Sequence, residues 1–118
     1  MFETISVKEA LNLAYEGKGI LYDIRDEDSY RKGHLPMAEK LEKEYVEEEL
    51  KRIRREGKRT ELIIFYCDYG NQSMLLARHL SEKGHKRIAS MIGGYHAYEG
   101  YVEAQKKEFW TMEWKERG

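Results

Sequence analysis

A continuous run of five apolar residues, 62–66 (LIIFY), constrains the fold more than any other part of this sequence. The run is too short for a typical helix, and it predicts a strand that is covered on both faces. A second short run, residues 20–24 (ILYDI), has the same character, and helical patterns lie between the two runs. Because strands that alternate with helices favour a parallel sheet, we expect an α/β domain.

The rest of the chain supplies the helices and a further strand. Apolar periodicity and capping residues predict helices over residues 7–16, 26–30, 39–59 and 74–84, and from residue 95 onward. A third strand is predicted over residues 87–92. In the last helix Tyr98, Val102 and Phe109 share one face, and Trp110 and Trp114 are expected to pack against the protein. At 118 residues, we expect one domain over residues 1–118.

The composition argues against several classes of partner. The chain has 21 Lys and Arg residues against 22 Asp and Glu residues, and its basic stretch 51–59 has no interleaved aromatic residues. We therefore expect no nucleic acid partner. No apolar stretch is long enough to span a membrane, and the first residues do not resemble a secretion signal. The prediction is a cytoplasmic protein that does not bind membranes. The four histidines have no spacing typical of a metal site.

The only cysteine, Cys67, lies between the 62–66 strand and the helix that follows. A single cysteine excludes a disulfide within the chain. Ligands of parallel sheets bind at the carboxyl ends of the strands, which is where Cys67 falls. Residues 68–72 would present backbone N–H groups ahead of a helix N-terminus, an arrangement that stabilises a thiolate, and Gly70 would let the loop curl. Position alone leaves two interpretations open, a buried inert thiol and a nucleophile.

Four ordered motifs resemble those of the rhodanese family. Residues 66–73 (YCDYGNQS) are similar to its active-site loop, Cys-x-x-Gly-x-Arg followed by Ser or Thr. Residues 21–30 (LYDIRDEDSY) resemble its Asp-Val-Arg segment with the Glu-x-x-Tyr that follows. Residues 33–38 (GHLPMA) resemble a Gly-His-Ile-Pro-Gly-Ala turn, and residues 92–98 (IGGYHAY) resemble a closing Gly-Gly-x-x-x-Trp element. Each motif is weak alone, but the ordered set is specific.

The resemblance implies a single rhodanese-like domain, with a roughly five-stranded parallel sheet and helices on both faces. It implies a sulfurtransferase or persulfide carrier that needs no cofactor or metal. Cys67 would take sulfane sulfur from thiosulfate, polysulfide or a persulfide-carrying protein, and pass it to a thiol or cyanide. The residues expected to bind the substrate are Asp68, Tyr69, Gly70, Asn71, Gln72 and Ser73. Asp23 and Arg25 are expected to form an ion pair near this loop, and His34 to brace the turn before Pro36, all as structural support.

Two loop residues depart from the family pattern. Gln72 stands where thiosulfate-using members usually have Arg, and Asp68 adds a carboxylate beside the thiol. An anionic donor would lose a charge-assisted hydrogen bond, a cost of about 1.5–3 kcal/mol. We therefore expect poor use of thiosulfate, and the alternative is a catalytically weak or inactive rhodanese-fold binding or regulatory module. Phosphatases and arsenate reductases are disfavoured, because their loops have Arg at the sixth position after the cysteine, where this chain has Ser73.

Overall fold

A computed structural model describes residues 1–57 and 61–117, with side chains described to residue 111. Its centre is one parallel sheet with the strand order β1-β5-β4-β2-β3. The strands are β1 (Glu3–Ile5), β2 (Gly19–Asp23), β3 (Glu39–Lys40), β4 (Leu62–Tyr66) and β5 (Ile88–Met91). The long apolar run is β4, which lies in the middle of the sheet with all five residues buried. The predicted five-stranded parallel α/β fold is confirmed.

Helices cover both faces of the sheet. They are α1 (Val7–Tyr15), α2 (Glu27–Lys32), α3 (Val46–Arg55), α4 (Asn71–Glu82) and α5 (Gly94–Arg117). Side chains of α1 and α5 pack on one face of the sheet, and side chains of α3 and α4 pack on the other. Successive β4 side chains alternate between the two faces, and Cys67, the next residue, falls on the α3 and α4 side. None of the described helices is both long and apolar enough to cross a membrane.

The sequence analysis missed strands β1 and β3, because neither is an apolar run. Both β1 and β3 lie at the edges of the sheet and have only 3 and 2 residues. Edge strands of this kind tolerate charged side chains, so they carry no hydrophobic signal. The predicted helix over residues 39–59 is accordingly shorter: β3 and a 3₁₀ turn (Lys43–Tyr45) precede α3. Residues 58 and 59 of that prediction lie outside the described residues.

The end of α5 corrects the prediction that its aromatic residues pack against the protein. Phe109 is 65% exposed and Trp110 is 70% exposed. The first turns of α5 contact the core through Tyr95 and Tyr98, but the helix continues past the core, and residues 103–111 are exposed. Helical periodicity shows which side chains share a face, but not whether anything covers that face. The side chain of Trp114 lies outside those described.

Candidate active site

Cys67 is held at the start of a tight turn between β4 and α4. Gly70 closes this turn with φ of 99°, a left-handed conformation that glycine adopts without strain. A Cβ atom at Gly70 would also approach the backbone nitrogen of Gly93 to 3.0 Å. The glycine is therefore needed both for the turn and for the close approach of the segment after β5.

Two backbone N–H groups point at the Cys67 sulfur. The N–H of Gly70 donates to Sγ at 3.2 Å, and the N–H of Ser73 donates to it at 3.3 Å. The Ser73 Oγ lies 3.6 Å from the same sulfur. The loop is shorter than predicted, because α4 begins at Asn71. The Ser73 donor therefore belongs to the first turn of the helix. Donors at a helix N-terminus favour negative charge, and this site can stabilise a thiolate or a persulfide anion.

A buried serine pair fixes the hydroxyl beside the sulfur. Ser73 Oγ donates to the Gly70 carbonyl at 3.2 Å and lies 2.8 Å from the Ser90 Oγ on β5. Both serines are fully buried, with exposures of 0% and 1%. Either hydroxyl can be the donor in the bond between Ser73 and Ser90. Sequence reasoning missed Ser90, whose only signal is a hydroxyl residue within a buried strand.

A buried ion pair lies behind the loop, as predicted for Asp23 and Arg25. The Arg25 Nη2 is 2.7 Å from Asp23 Oδ2, and the two side chains are 5% and 0% exposed. Tyr66 donates its hydroxyl proton to the same carboxylate oxygen at 2.6 Å and accepts the N–H of Leu35. Burial and this bond to Asp23 raise the pKa of Tyr66 far above its ordinary value. Burial alone would lower the pKa of Arg25, but the hydrogen bonds and charge of Asp23 outweigh it and raise that pKa.

Arg25 also connects this network to the active-site loop. Its Nη2 donates to the Gly33 carbonyl at 2.6 Å, and its guanidinium lies 4.0 Å from the ring centre of Tyr95. Its Nη1 lies 3.9 Å from the Asp68 carboxylate. The sequence predicted that Asp68 would present a negative charge to an anionic donor, and the structure places a guanidinium 3.9 Å from that carboxylate, which offsets part of its charge.

His34 braces the segment before Pro36 rather than the loop itself. Its Nδ1 lies 2.8 Å from the carbonyl oxygen of Tyr30, and its ring stacks on the Tyr30 ring at 3.8 Å between centres. Its described contacts are therefore with α2, and they fix the turn that leads to Leu35, whose N–H is bound by Tyr66.

A shallow pocket of about 150 Å³ opens beside the sulfur. Its walls are Cys67 and four predicted loop residues, Asp68, Tyr69, Asn71 and Gln72. The Tyr69 side chain is 68% exposed and rests against His96 at 5.3 Å between ring centres. Gly70 and Ser73 lie behind this wall and supply the N–H donors. Within residues 1–57 and 61–111, no group of three His, Cys, Asp or Glu side chains could hold a metal ion.

The N-terminus of α5 holds the loop from the other side. The N–H of Tyr95 donates to the Cys67 carbonyl at 2.8 Å, and the N–H of His96 donates to the Asp68 carbonyl at 3.0 Å. Gly94, with φ of 59°, lets α5 come this close. A Cβ atom on Gly94 would collide with the Cys67 carbonyl oxygen and approach the Asp68 carbonyl carbon to 2.7 Å.

Replacing Gly94 by alanine should therefore displace the loop. We expect Gly94→Ala to lower the free energy of unfolding by about 1–3 kcal/mol, because the clash involves backbone rather than a flexible side chain. We also expect slower alkylation of Cys67, since the sulfur loses its fixed N–H donors. The matched control is Gly100→Ala in the same helix, where a Cβ would meet nothing within 4 Å. Urea unfolding and iodoacetamide kinetics measure both effects. Equal behaviour of the two variants would contradict this role for Gly94.

Comparison with known proteins agrees with this fold. A family model described as the rhodanese-like domain matches residues 6–101. The match covers most of the chain, so the protein belongs to the rhodanese-like family. A human single-domain sulfurtransferase superposes with a TM-score of 0.64 at 18% identity, covering 82% of this chain and 95% of that one. A rhodanese-like domain protein from Staphylococcus aureus gives a TM-score of 0.65 at 22% identity, covering 81% and 90%.

A third similar structure bears a different description. It is a protein of unknown function from Rhodopseudomonas palustris, described as a possible tyrosine phosphatase. Its TM-score is 0.71 at 26% identity, and the match covers 86% of this chain and 82% of that one. Within the present loop, the sixth residue after Cys67 is Ser73, whose side chain is buried and bonded to Ser90. The arginine with which such phosphatases bind their oxyanion is missing at that position.

Proposed function

We propose that the protein is a cytoplasmic sulfurtransferase or persulfide carrier with Cys67 as its nucleophile. The observation that carries this proposal is the pair of N–H groups, from Gly70 and Ser73, that point at Sγ from 3.2 and 3.3 Å. Cys67 itself lines an open pocket of about 150 Å³ and is 4% exposed, so a small donor would approach the sulfur from that pocket. Membership of the rhodanese-like family supports the same chemistry, since the family implies a sulfur donor and a sulfur acceptor.

The reaction divides into two displacements at sulfur. The Cys67 thiolate attacks the sulfane sulfur of thiosulfate, the S–S bond of the donor breaks, and sulfite leaves with its electron pair. Cys67 then carries a persulfide anion. Cyanide or an external thiolate attacks its outer sulfur, thiocyanate or a new persulfide leaves, and the Cys67 thiolate is regenerated. Neither step needs an oxidant or a reductant. Fixed N–H donors to Sγ stabilise the thiolate that leaves in the second step without reorganisation, which lowers the barrier of that step.

A second candidate is a rhodanese-fold binding or regulatory module that transfers no sulfur. It is favoured by Gln72, which gives the loop a neutral amide where an anionic donor would be bound. The carboxylate of Asp68 favours it less, because Arg25 lies 3.9 Å from that group. Phosphate transfer is not proposed, because Ser73 cannot replace an arginine as a ligand of a phosphate dianion.

Turnover with several donors separates the two candidates. Each of three parallel reactions contains the protein, cyanide and one donor. The donors are thiosulfate, polysulfide and mercaptopyruvate, and the thiocyanate formed is measured. A sulfurtransferase should form thiocyanate catalytically from at least one donor. We expect thiosulfate, a dianion, to be a poor donor because Gln72 lacks a positive charge. No thiocyanate from any of the three donors would favour the binding module.

The identity of residue 72 should set the rate with thiosulfate. We expect Gln72→Arg to raise kcat/KM for thiosulfate by about tenfold, because it restores a charge-assisted hydrogen bond to an anion. Gln72→Met is the matched control, since it removes the amide without adding charge. Steady-state thiocyanate formation measures both variants. If Gln72→Arg and the parent protein use thiosulfate equally well, residue 72 does not limit the reaction.

A further inference from the structure

A lysine from outside the loop contacts the residue that replaces the family's arginine. Lys43 is the first residue of the 3₁₀ turn between β3 and α3. Its Nζ donates to the Gln72 Oε1 at 3.0 Å. Gln72 lines the pocket beside Cys67, so an ammonium group lies within one hydrogen bond of the pocket wall. Lys43 thus brings a positive charge to Gln72, the position where the family usually has an arginine within the loop.

The charge of Lys43 is not neutralised by a carboxylate. Among the residues that the structure describes, no Asp or Glu oxygen lies within 4.0 Å of its Nζ. The nearby Lys40 differs, because its Nζ is 3.1 Å from a carboxylate oxygen of Glu42. An exposed ammonium whose only described partner is a neutral amide is available to attract an incoming anion.

The contact also fixes the orientation of the Gln72 amide. A lysine ammonium has donors only, so it must face the amide oxygen and not the amide nitrogen. The Nε2 group of Gln72, with two protons to donate, is therefore turned away from Lys43. Together the two side chains offer an ammonium and amide N–H donors, and both kinds of group bind oxyanions.

We propose that Lys43 is a donor-binding residue, which supplies from the 3₁₀ turn the positive charge that the loop lacks. The inference rests on the proposed function and assigns to Lys43 the attraction of small anionic sulfane donors, thiosulfate among them, which the loop alone binds weakly because Gln72 is neutral. Lys43 and the Gln72 amide hold the anionic end of the donor, while its sulfane sulfur faces Cys67. The thiolate attacks that sulfur, and sulfite leaves with the electron pair of the broken S–S bond. Lys43 offsets the charge that builds up as two anions approach each other.

Charge removal at Lys43 tests this inference with two kinds of donor. We expect Lys43→Met to lower kcat/KM for thiosulfate about tenfold, and to leave kcat/KM for a neutral dialkyl trisulfide unchanged within about twofold. Lys43→Arg should retain most of the thiosulfate activity, because it keeps the charge. The matched control is Lys51→Met, which removes the same charge from an exposed position on α3. An equal loss with both donors, or no loss with either, would overturn the inference.

A second measurement needs no sulfur transfer, so it separates failure of this inference from failure of the proposed function. Iodoacetate, an anion, and iodoacetamide, its neutral analogue, both alkylate Cys67. The ratio of their rate constants reports the charge at the pocket. We expect Lys43→Met to lower this ratio about threefold and Lys51→Met to leave it unchanged. An unchanged ratio in Lys43→Met would overturn the role of Lys43, even if the parent protein is an active sulfurtransferase. A protein that transfers no sulfur but shows the lowered ratio would overturn the proposed function and would leave Lys43 as a residue that attracts anions to the pocket.

Discussion

A Cys67→Ser variant should form no thiocyanate from any sulfane donor, a loss of at least about 10³-fold in turnover. The hydroxyl is a far weaker nucleophile than a thiolate near neutral pH and has no sulfur on which to carry the transferred atom. Its Oγ can still accept the N–H groups that now reach Sγ at 3.2 and 3.3 Å. The variant should therefore fold normally and lose only the chemistry.

The readout for this variant is thiocyanate formation, with urea unfolding as its control for folding. We expect an unfolding free energy within about 1 kcal/mol of the parent value, because serine and cysteine are similar in size. Cys67 is the only cysteine in the chain, so no second thiol can take over its role. Turnover by a folded Cys67→Ser variant would contradict the assignment of the nucleophile.

Loss of Arg25 should produce the largest change in stability. Arg25→Met would leave the Asp23 carboxylate, which is 0% exposed, without its ionic partner, and the Gly33 carbonyl without the Nη2 donor. Removing one member of a buried ion pair costs about 3–5 kcal/mol, because the remaining charge stays uncompensated. Urea unfolding at neutral pH measures this loss. A change below about 1 kcal/mol would show that Asp23 does not depend on Arg25.

Two further variants check the reason for that loss. Arg31→Met removes an arginine whose ion pair with Glu27 is exposed to water, so we expect less than about 1 kcal/mol of destabilisation. The double variant Asp23→Asn with Arg25→Met should recover part of the stability lost in Arg25→Met alone, because no buried charge remains. Equal instability of the single and double variants would mean that Arg25 acts through packing on Tyr95 instead.

The sheet could be predicted from the sequence because its central strands are buried on both faces. A continuous apolar run marks β4 and mostly apolar runs mark β2 and β5, whereas the short edge strands β1 and β3 carry charged residues and have no such signal. The start of α4 was missed for a related reason. Its first turn, Asn71 to Ser73, is polar, and the apolar periodicity begins only at Met74.

Local sequence patterns predicted the site where its residues are close together in sequence, and the family resemblance added the Asp23–Arg25 ion pair. The position of Cys67 and the loop after it follow from one strand and one helix. Ser90 reaches Ser73 from 17 residues away, and Lys43 reaches Gln72 from 29 residues away. Such contacts depend on the order of strands in the sheet, which local patterns do not specify. The exposure of Trp110 was missed for the same reason, since it depends on where the core ends.

The intact mass of the protein after exposure to sulfur donors tests the central claim most directly. The protein is incubated separately with thiosulfate, polysulfide and mercaptopyruvate, desalted and weighed. We predict a gain of one sulfur atom with at least one donor, carried on the peptide that contains Cys67 and removed by cyanide. An unchanged mass with all three donors would contradict a persulfide at Cys67.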